Sequence, residues 1–99
     1  MTYRFTAELW EYPAEKASWF FVTLPTEVAD EIEVAASTSR RGFGSVRVSV
    51  TIGSTCWATS LFPSKEAGSY LLPVKKAVRL AEGIDAGDPV EVEVEPQLD

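Results

Sequence analysis

The side chains best suited to chemistry in this sequence are basic, and they cluster in the middle of the chain. Residues 40–81 carry seven lysines and arginines and one acidic residue, a net charge of +6. The flanking segments are acidic, with net charges of −5 for residues 1–39 and −7 for residues 82–99. A local excess of positive charge attracts anions even when the whole protein is acidic. The total charge of −6 therefore leaves room for a basic site.

This basic segment holds the predicted binding site. Its predicted ligand is a small anion or a protein partner, because clustered cations attract phosphate, carboxylate and acidic surfaces. The alternative is that these charges pair with the acidic segments or stay solvated, since surface ion pairs are common and weak. The predicted site residues are Arg40, Arg41, Tyr70, Lys75 and Arg79, and Lys76 belongs to the same patch.

The segment Arg41-Gly42-Phe43-Gly44 allows two interpretations. Glycine permits positive φ and close backbone approach, so N–H groups here could cradle an anion beside Arg41. Alternatively, the two glycines form a tight turn that directs the chain into the next strand, and Phe43 fills one end of the fold.

The composition argues against catalysis and metal binding. With no histidine and one cysteine, Cys56, the chain cannot assemble a disulfide framework, a Cys-His or Ser-His nucleophile, or an imidazole or thiolate metal cluster. Cys56 itself is expected to be a small buried hydrophobe. We therefore predict no catalytic residue, no metal ligand and no cofactor. An enzyme is the third hypothesis, in which Thr59, Ser60 and Tyr70 line a pocket near Lys75 as a base.

Nucleic acid is the alternative partner. Its phosphates require a dominant basic surface, and the alternating glutamates near the end of the sequence oppose that requirement. Aromatic side chains that could stack on bases are present, but two of the three tryptophans lie within strand patterns typical of core residues. The glutamates are Glu91, Glu93 and Glu95. The tryptophans are Trp10, Trp19 and Trp57, of which Trp19 and Trp57 lie in the strand patterns typical of core residues.

Hydrophobic alternation predicts the elements that position these residues. Valines at positions 46, 48 and 50 alternate with polar residues, and those at 90, 92 and 94 alternate with glutamates, which is typical of strands. Pro63 and Pro73 are expected to end the strands before them. The predicted strands cover residues 3–12, 18–24, 46–52, 55–62, 69–72 and 90–94, and the predicted helices cover residues 26–36 and 74–81, the second ending at Gly83.

An internal repeat underlies this order of elements. Leu24-Pro25 and Leu72-Pro73 each follow a strand and precede a helix, a glycine turn and a valine strand. Two such units could pack around a pseudo-twofold axis, and closing the sheet would remove exposed strand edges. The alternative is that a strand, a proline and a helix recur by chance. We predict a single domain over residues 1–99: a mainly β fold, a closed or double-split barrel of about six strands with two short helices.

Two resemblances to known families support this fold. The motifs at residues 19–25, 41–46, 59–63, 70–75 and 87–90 occur in the order found in the bacterial family of unknown function DUF1905, which the chain resembles over nearly its whole length. That resemblance implies a small β-barrel and supplies no activity. Residues 68–90 also resemble the swapped-hairpin module of AbrB-type regulators, which dimerise and bind DNA.

The compartment follows from what the sequence lacks. The N-terminal residues show no secretory signal, and the longest apolar run, residues 19–22, is far shorter than the ~20 residues of a membrane span. A single unpaired cysteine suits a reducing interior. We predict a cytoplasmic protein with no membrane partner, a monomer or weak homodimer. The leading hypothesis is a noncatalytic ligand- or protein-binding module, with an AbrB-like nucleic-acid-binding regulator as the alternative.

Overall fold

The computed structural model describes residues 1–37 and 44–97, which form a closed barrel of six antiparallel strands with two helices. The mainly β barrel predicted from the sequence is confirmed. The strands are β1 (Tyr3–Tyr12), β2 (Trp19–Thr23), β3 (Val46–Ile52), β4 (Thr55–Ser64), β5 (Ser69–Pro73) and β6 (Pro89–Pro96). The helices are α1 (Thr26–Ser37) and α2 (Lys76–Glu82).

The two longest strands, β1 and β4, divide the barrel into two sheets. The strand order is β1-β2-β5-β4-β3-β6, closed by pairing of β6 with β1. Residues 3–8 of β1 pair with β6 and residues 9–12 pair with β2, whereas residues 55–61 of β4 pair with β3 and residues 62–64 pair with β5. We call β6, β3 and the first parts of β1 and β4 sheet 1, and β2, β5 and the second parts sheet 2.

The predicted pseudo-twofold repeat is present in the strand order and register. If β1 is exchanged with β4, β2 with β5 and β3 with β6, every pair of neighbouring strands remains a neighbouring pair. When the Leu-Pro steps and the valine strands of the two units are aligned, β1 also aligns with β4. A single offset between these two strands then reproduces the pairing of each strand with both of its neighbours. The equivalent pairs are Leu9–Val22 with Pro63–Tyr70, and Phe5–Val92 with Thr59–Val48.

The core lies inside the barrel and is shared by both sheets. Alternate strand residues point to opposite faces of the barrel. The inward positions are therefore mainly aliphatic, whereas the outward positions can carry side chains of any chemistry. Leu72 of β5 and Val94 of β6 are completely buried, as is Ile32 of α1. Burying one such side chain contributes roughly 1.5–3 kcal/mol. Helix α2 adds Val78 and ends at Gly83, whose φ of 64° favours glycine.

Three details of the strand predictions are wrong. Strand β4 continues through Pro63, because pairing with β3 ends at Leu61 and the missing N–H of Pro63 interrupts no bond on that side. Strand β2 is not buried on both faces, since only Val22 is fully buried. Cys56 is exposed, not a buried hydrophobe, because its position in β4 points outward, where its Sγ lies 3.2 Å from Thr51 Oγ1.

Candidate functional site

Two of the predicted site residues lie together at the start of α2. The backbone N–H of Val74 donates to the carbonyl of Phe20 (2.9 Å), which joins the end of β5 to the start of β2. Lys75 is the N-cap residue of α2, and its carbonyl accepts hydrogen bonds from the N–H groups of Val78 and Arg79. One helical turn therefore brings Lys75 and Arg79 to the same end of the barrel. With the exposed Lys76, they form what we call the basic cluster.

The Arg79 side chain is held in place by two contacts. Its Cζ lies 3.6 Å from the centroid of the Phe20 ring, and its Nε donates to the carbonyl of Val74 (3.2 Å). A cation over an aromatic face gains roughly 0.5–2 kcal/mol, depending on how far it is desolvated. A guanidinium has further N–H donors besides Nε, and the described residues provide no other partner for them. Arg79 is thus positioned to donate to an anion.

The basic cluster has no carboxylate partner within the described parts of the chain. The ion pair found there joins Arg4 Nε to Glu93 Oε1 (3.1 Å), on sheet 1. Lys75 and Lys76 are exposed, and Arg79 is half-buried. Within the described residues, these cations therefore do not pair with the acidic segments, and the alternative that they are solvated side chains without a ligand stays a prediction.

Tyr70 lies at the other end of the same ladder. Its carbonyl accepts from the N–H of Leu24 (3.0 Å), and it precedes Val74 by four strand residues, about 13 Å. Its side chain is only 9% exposed and belongs to the core. Burial raises the pKa of its hydroxyl, and the negative charge of Glu33 on α1 adds to that rise. Tyr70 is therefore not part of the basic cluster, and a role for it in binding stays a prediction.

Arg40 and Arg41 lie outside the described residues, as does most of the glycine loop that contains Arg41. Both interpretations of that loop stay predictions.

An aromatic cluster that the sequence did not predict covers the outer face of sheet 2. In the β1·β2 ladder, Trp10 pairs with Phe21 and Tyr12 pairs with Trp19, so all four side chains share one face. Ring centroids lie 5.2 Å apart for Trp10–Phe21 and 6.3 Å apart for Trp19–Phe21, the latter rings being nearly parallel. Trp19 and Tyr12 are each 57% exposed. We call these four residues the aromatic face; the expectation that Trp19 is a core residue is wrong.

The aromatic face adjoins the basic cluster. Phe21 pairs with Pro73 across the β2·β5 ladder, and the N–H of Val74 donates to Phe20, so extending this register by one residue places Lys75 next to Trp19. Arg79 packs on Phe20, which points to the opposite face of β2, so the contact of the basic cluster with the aromatic face is through Lys75. Neighbouring strands lie roughly 4.8 Å apart. The sequence contained one signal of this arrangement, because Trp10 occupies an outward position in the alternation of β1.

Sheet 1 carries the remaining polar candidates. Its outer face has an open groove of about 460 Å³ that includes the Arg4–Glu93 pair together with Glu91. Thr59 and Ser60 are adjacent in β4 and so point to opposite faces, which separates the two hydroxyls of the enzyme hypothesis. Among the described residues, no group of three or more acidic or cysteine side chains could hold a metal ion.

Comparison with known proteins identifies the family. The family model described as Domain of unknown function (DUF1905) matches residues 5–94, and the chain therefore belongs to this family. No curated protein matches the chain. Neither helix in the described residues is long and apolar enough to cross a membrane.

Proposed function

We propose that this member of the DUF1905 family is a noncatalytic binding module that takes an anionic ligand or partner at its basic cluster. The observation that carries this proposal is the placement of three cations at one end of the barrel without a carboxylate partner among the described residues. Unpaired charges that a fold keeps together are available to a ligand.

The three side chains would contribute differently to binding. Arg79 is held by Phe20 and Val74, so little side-chain entropy is lost when it donates to a carboxylate or phosphate. Lys75 and Lys76 are exposed, and their long side chains are flexible. They would attract the ligand by their positive charge more than they would fix its orientation. Arg40 and Arg41, which the sequence also assigns to the site, would extend it.

The setting of this activity is part of the proposal. We place the module in the bacterial cytoplasm, as a monomer or weak homodimer; its single unpaired cysteine suits a reducing compartment. The resemblance of its second unit to AbrB-type modules keeps nucleic-acid binding as the second candidate. The exposure of Trp19 favours that candidate, and the acidic outer face of sheet 1 opposes it.

A titration monitored by NMR tests the proposal. The ¹⁵N-labelled protein is titrated with two probes, a hexaglutamate peptide and tripolyphosphate. We expect amide shift changes centred on residues 74–79 with at least one probe. The variant Lys75→Ala/Lys76→Ala/Arg79→Ala should bind about tenfold more weakly, a loss of roughly 1.4 kcal/mol.

The control variant Arg4→Ala/Arg47→Ala/Lys65→Ala removes the same number of positive charges from other exposed positions. It should keep its affinity to within about twofold, because distant exposed charges are screened by salt. Equal weakening in both variants, or shift changes centred elsewhere, would show that the basic cluster is not the site.

A further inference from the structure

We infer that the partner is an acidic protein segment bearing a large apolar side chain, which packs on the aromatic face while neighbouring carboxylates meet the basic cluster. This inference rests on the proposed function, and it adds the class of partner and a second half to the site.

The aromatic face has the character of an interface centre. Two large aromatic side chains, Tyr12 and Trp19, lie opposite each other and are each more than half exposed. Trp, Tyr and Arg are the residues that most often dominate binding energies, and exposed apolar patches rimmed by polar residues mark interaction sites. Phe62 and Leu71, which pair in the β4·β5 ladder, continue the apolar surface beyond β2.

The floor of this surface is preorganised. The indole Nε1 of Trp10 donates to Thr23 Oγ1 (2.9 Å), which fixes the Trp10 ring against Phe21. Phe21 in turn lies nearly parallel to Trp19. A surface that is already ordered loses less conformational freedom when a partner binds.

The charges around the aromatic face favour a partner with a defined polarity. Lys75 borders it at Trp19, and the exposed Glu8 lies on the same outer side of β1, on the far side of Trp10. The exposed Glu11, opposite Phe20, points to the other face of β1. Carboxylates of a partner would be attracted at the Lys75 side and repelled at the Glu8 side. The partner's acidic residues should therefore lie next to the apolar anchor on one side only.

These observations favour a protein segment over nucleic acid. A nucleic acid strand carries a charge at every nucleotide and meets an acidic outer face on sheet 1, where Glu91, Glu93 and Glu95 lie. An acidic peptide needs only a few carboxylates beside one anchor, which matches three cations beside one aromatic face.

A peptide selection on the intact chain tests the inference. A random peptide library displayed on phage is selected against the immobilised protein, and enriched peptides are synthesised and titrated by following tryptophan fluorescence and calorimetry. We expect enrichment of peptides in which acidic residues flank a Trp, Phe or Leu. Trp19→Ala and Lys75→Ala/Lys76→Ala/Arg79→Ala should each weaken binding about tenfold or more.

Matched controls separate binding from folding. Leu80→Ala removes another exposed apolar side chain, on α2, and should leave affinity within about twofold. Because Trp19 is exposed, Trp19→Ala should retain the far-ultraviolet circular dichroism and the cooperative urea unfolding of a folded barrel. A peptide that binds Trp19→Ala as tightly as wild type overturns the inference.

The outcomes also separate the inference from the proposed function. Enriched acidic peptides without an apolar residue, weakened only by the lysine and arginine substitutions, would leave the proposed function standing and overturn the inference. Failure to enrich any peptide that depends on the basic cluster would count against both. Tighter binding of oligo-dT than of the best peptide would overturn the inference in favour of nucleic acid.

Discussion

The two sheets of the barrel share one core and differ on their outer faces. Sheet 1 presents glutamates, serine and threonine, joined by the exposed Arg4–Glu93 pair. Sheet 2 presents Trp10, Tyr12, Trp19 and Phe21 on its outer side. The barrel needs only its inward positions to close the core, so the aromatic side chains of sheet 2 are not required for closure. This difference is the basis on which we propose sheet 2 as the binding surface.

The largest effects should come from inward positions, and they should be similar in both sheets. Leu72→Ala in sheet 2 and Ile52→Ala in sheet 1 remove buried side chains, and each should lower the free energy of unfolding by roughly 2–5 kcal/mol. Urea denaturation followed by circular dichroism measures both. A cost below about 1 kcal/mol in only one sheet would show that the core is not shared.

Substitutions at outward positions should change the free energy of unfolding by different amounts in the two sheets. Trp10→Ala deletes the hydrogen bond to Thr23 and the contact with Phe21, and should cost about 2 kcal/mol. Ser49→Ala, at an exposed position of sheet 1, should stay within about 0.5 kcal/mol of wild type. The same urea experiment compares them; equal costs would remove the structural distinction between the two faces.

The exposed ion pair of sheet 1 should contribute still less. Glu93→Gln breaks the bond to Arg4 Nε, and both side chains are substantially exposed. We expect a change in unfolding free energy of at most about 0.5 kcal/mol, disappearing in 0.5 M salt. A salt-independent loss above 1 kcal/mol would mean that this pair organises sheet 1.

A pH-dependent effect concerns Tyr70, an inward residue of sheet 2. Burial in the folded state raises the pKa of the Tyr70 hydroxyl above its value in the unfolded chain, which is about 10. The neutral hydroxyl therefore contributes its full stabilisation below the unfolded pKa, and this stabilisation is lost as pH rises through the folded pKa. Tyr70→Phe should remain within about 1 kcal/mol of wild type at pH 7. Its stability should then fall less than that of wild type above pH 10; parallel curves would contradict the assignment.

Local signals in the sequence were sufficient for the elements and for the barrel. The alternating valines of β3, the Gly53-Ser54 turn and the glycine after α2 each carry their information within a few residues. The Leu-Pro steps also predicted the internal repeat, because the same order of elements recurs after each of them.

The arrangement of the site depends on contacts that local signals do not contain. Both faces of β2 are apolar in sequence, so alternation could not show that Trp19 points outward. Its proximity to Lys75 depends on the register between β2 and β5, which are distant in sequence. Conversely, Tyr70 and Lys75 are close in sequence, yet the extended β5 separates them because each strand residue adds about 3.3 Å.

The pairing of β1 with β6 has a consequence for how the protein is made. Residues 9–12 of β1 find their β2 partners within the next few residues of the growing chain, but residues 3–8 must await β6. A nascent chain that stops before Pro89 therefore leaves sheet 1 incomplete. Loop closure between such distant segments is entropically costly and slows folding. Barrel closure should thus be a late cooperative step that requires β6 to have been synthesised.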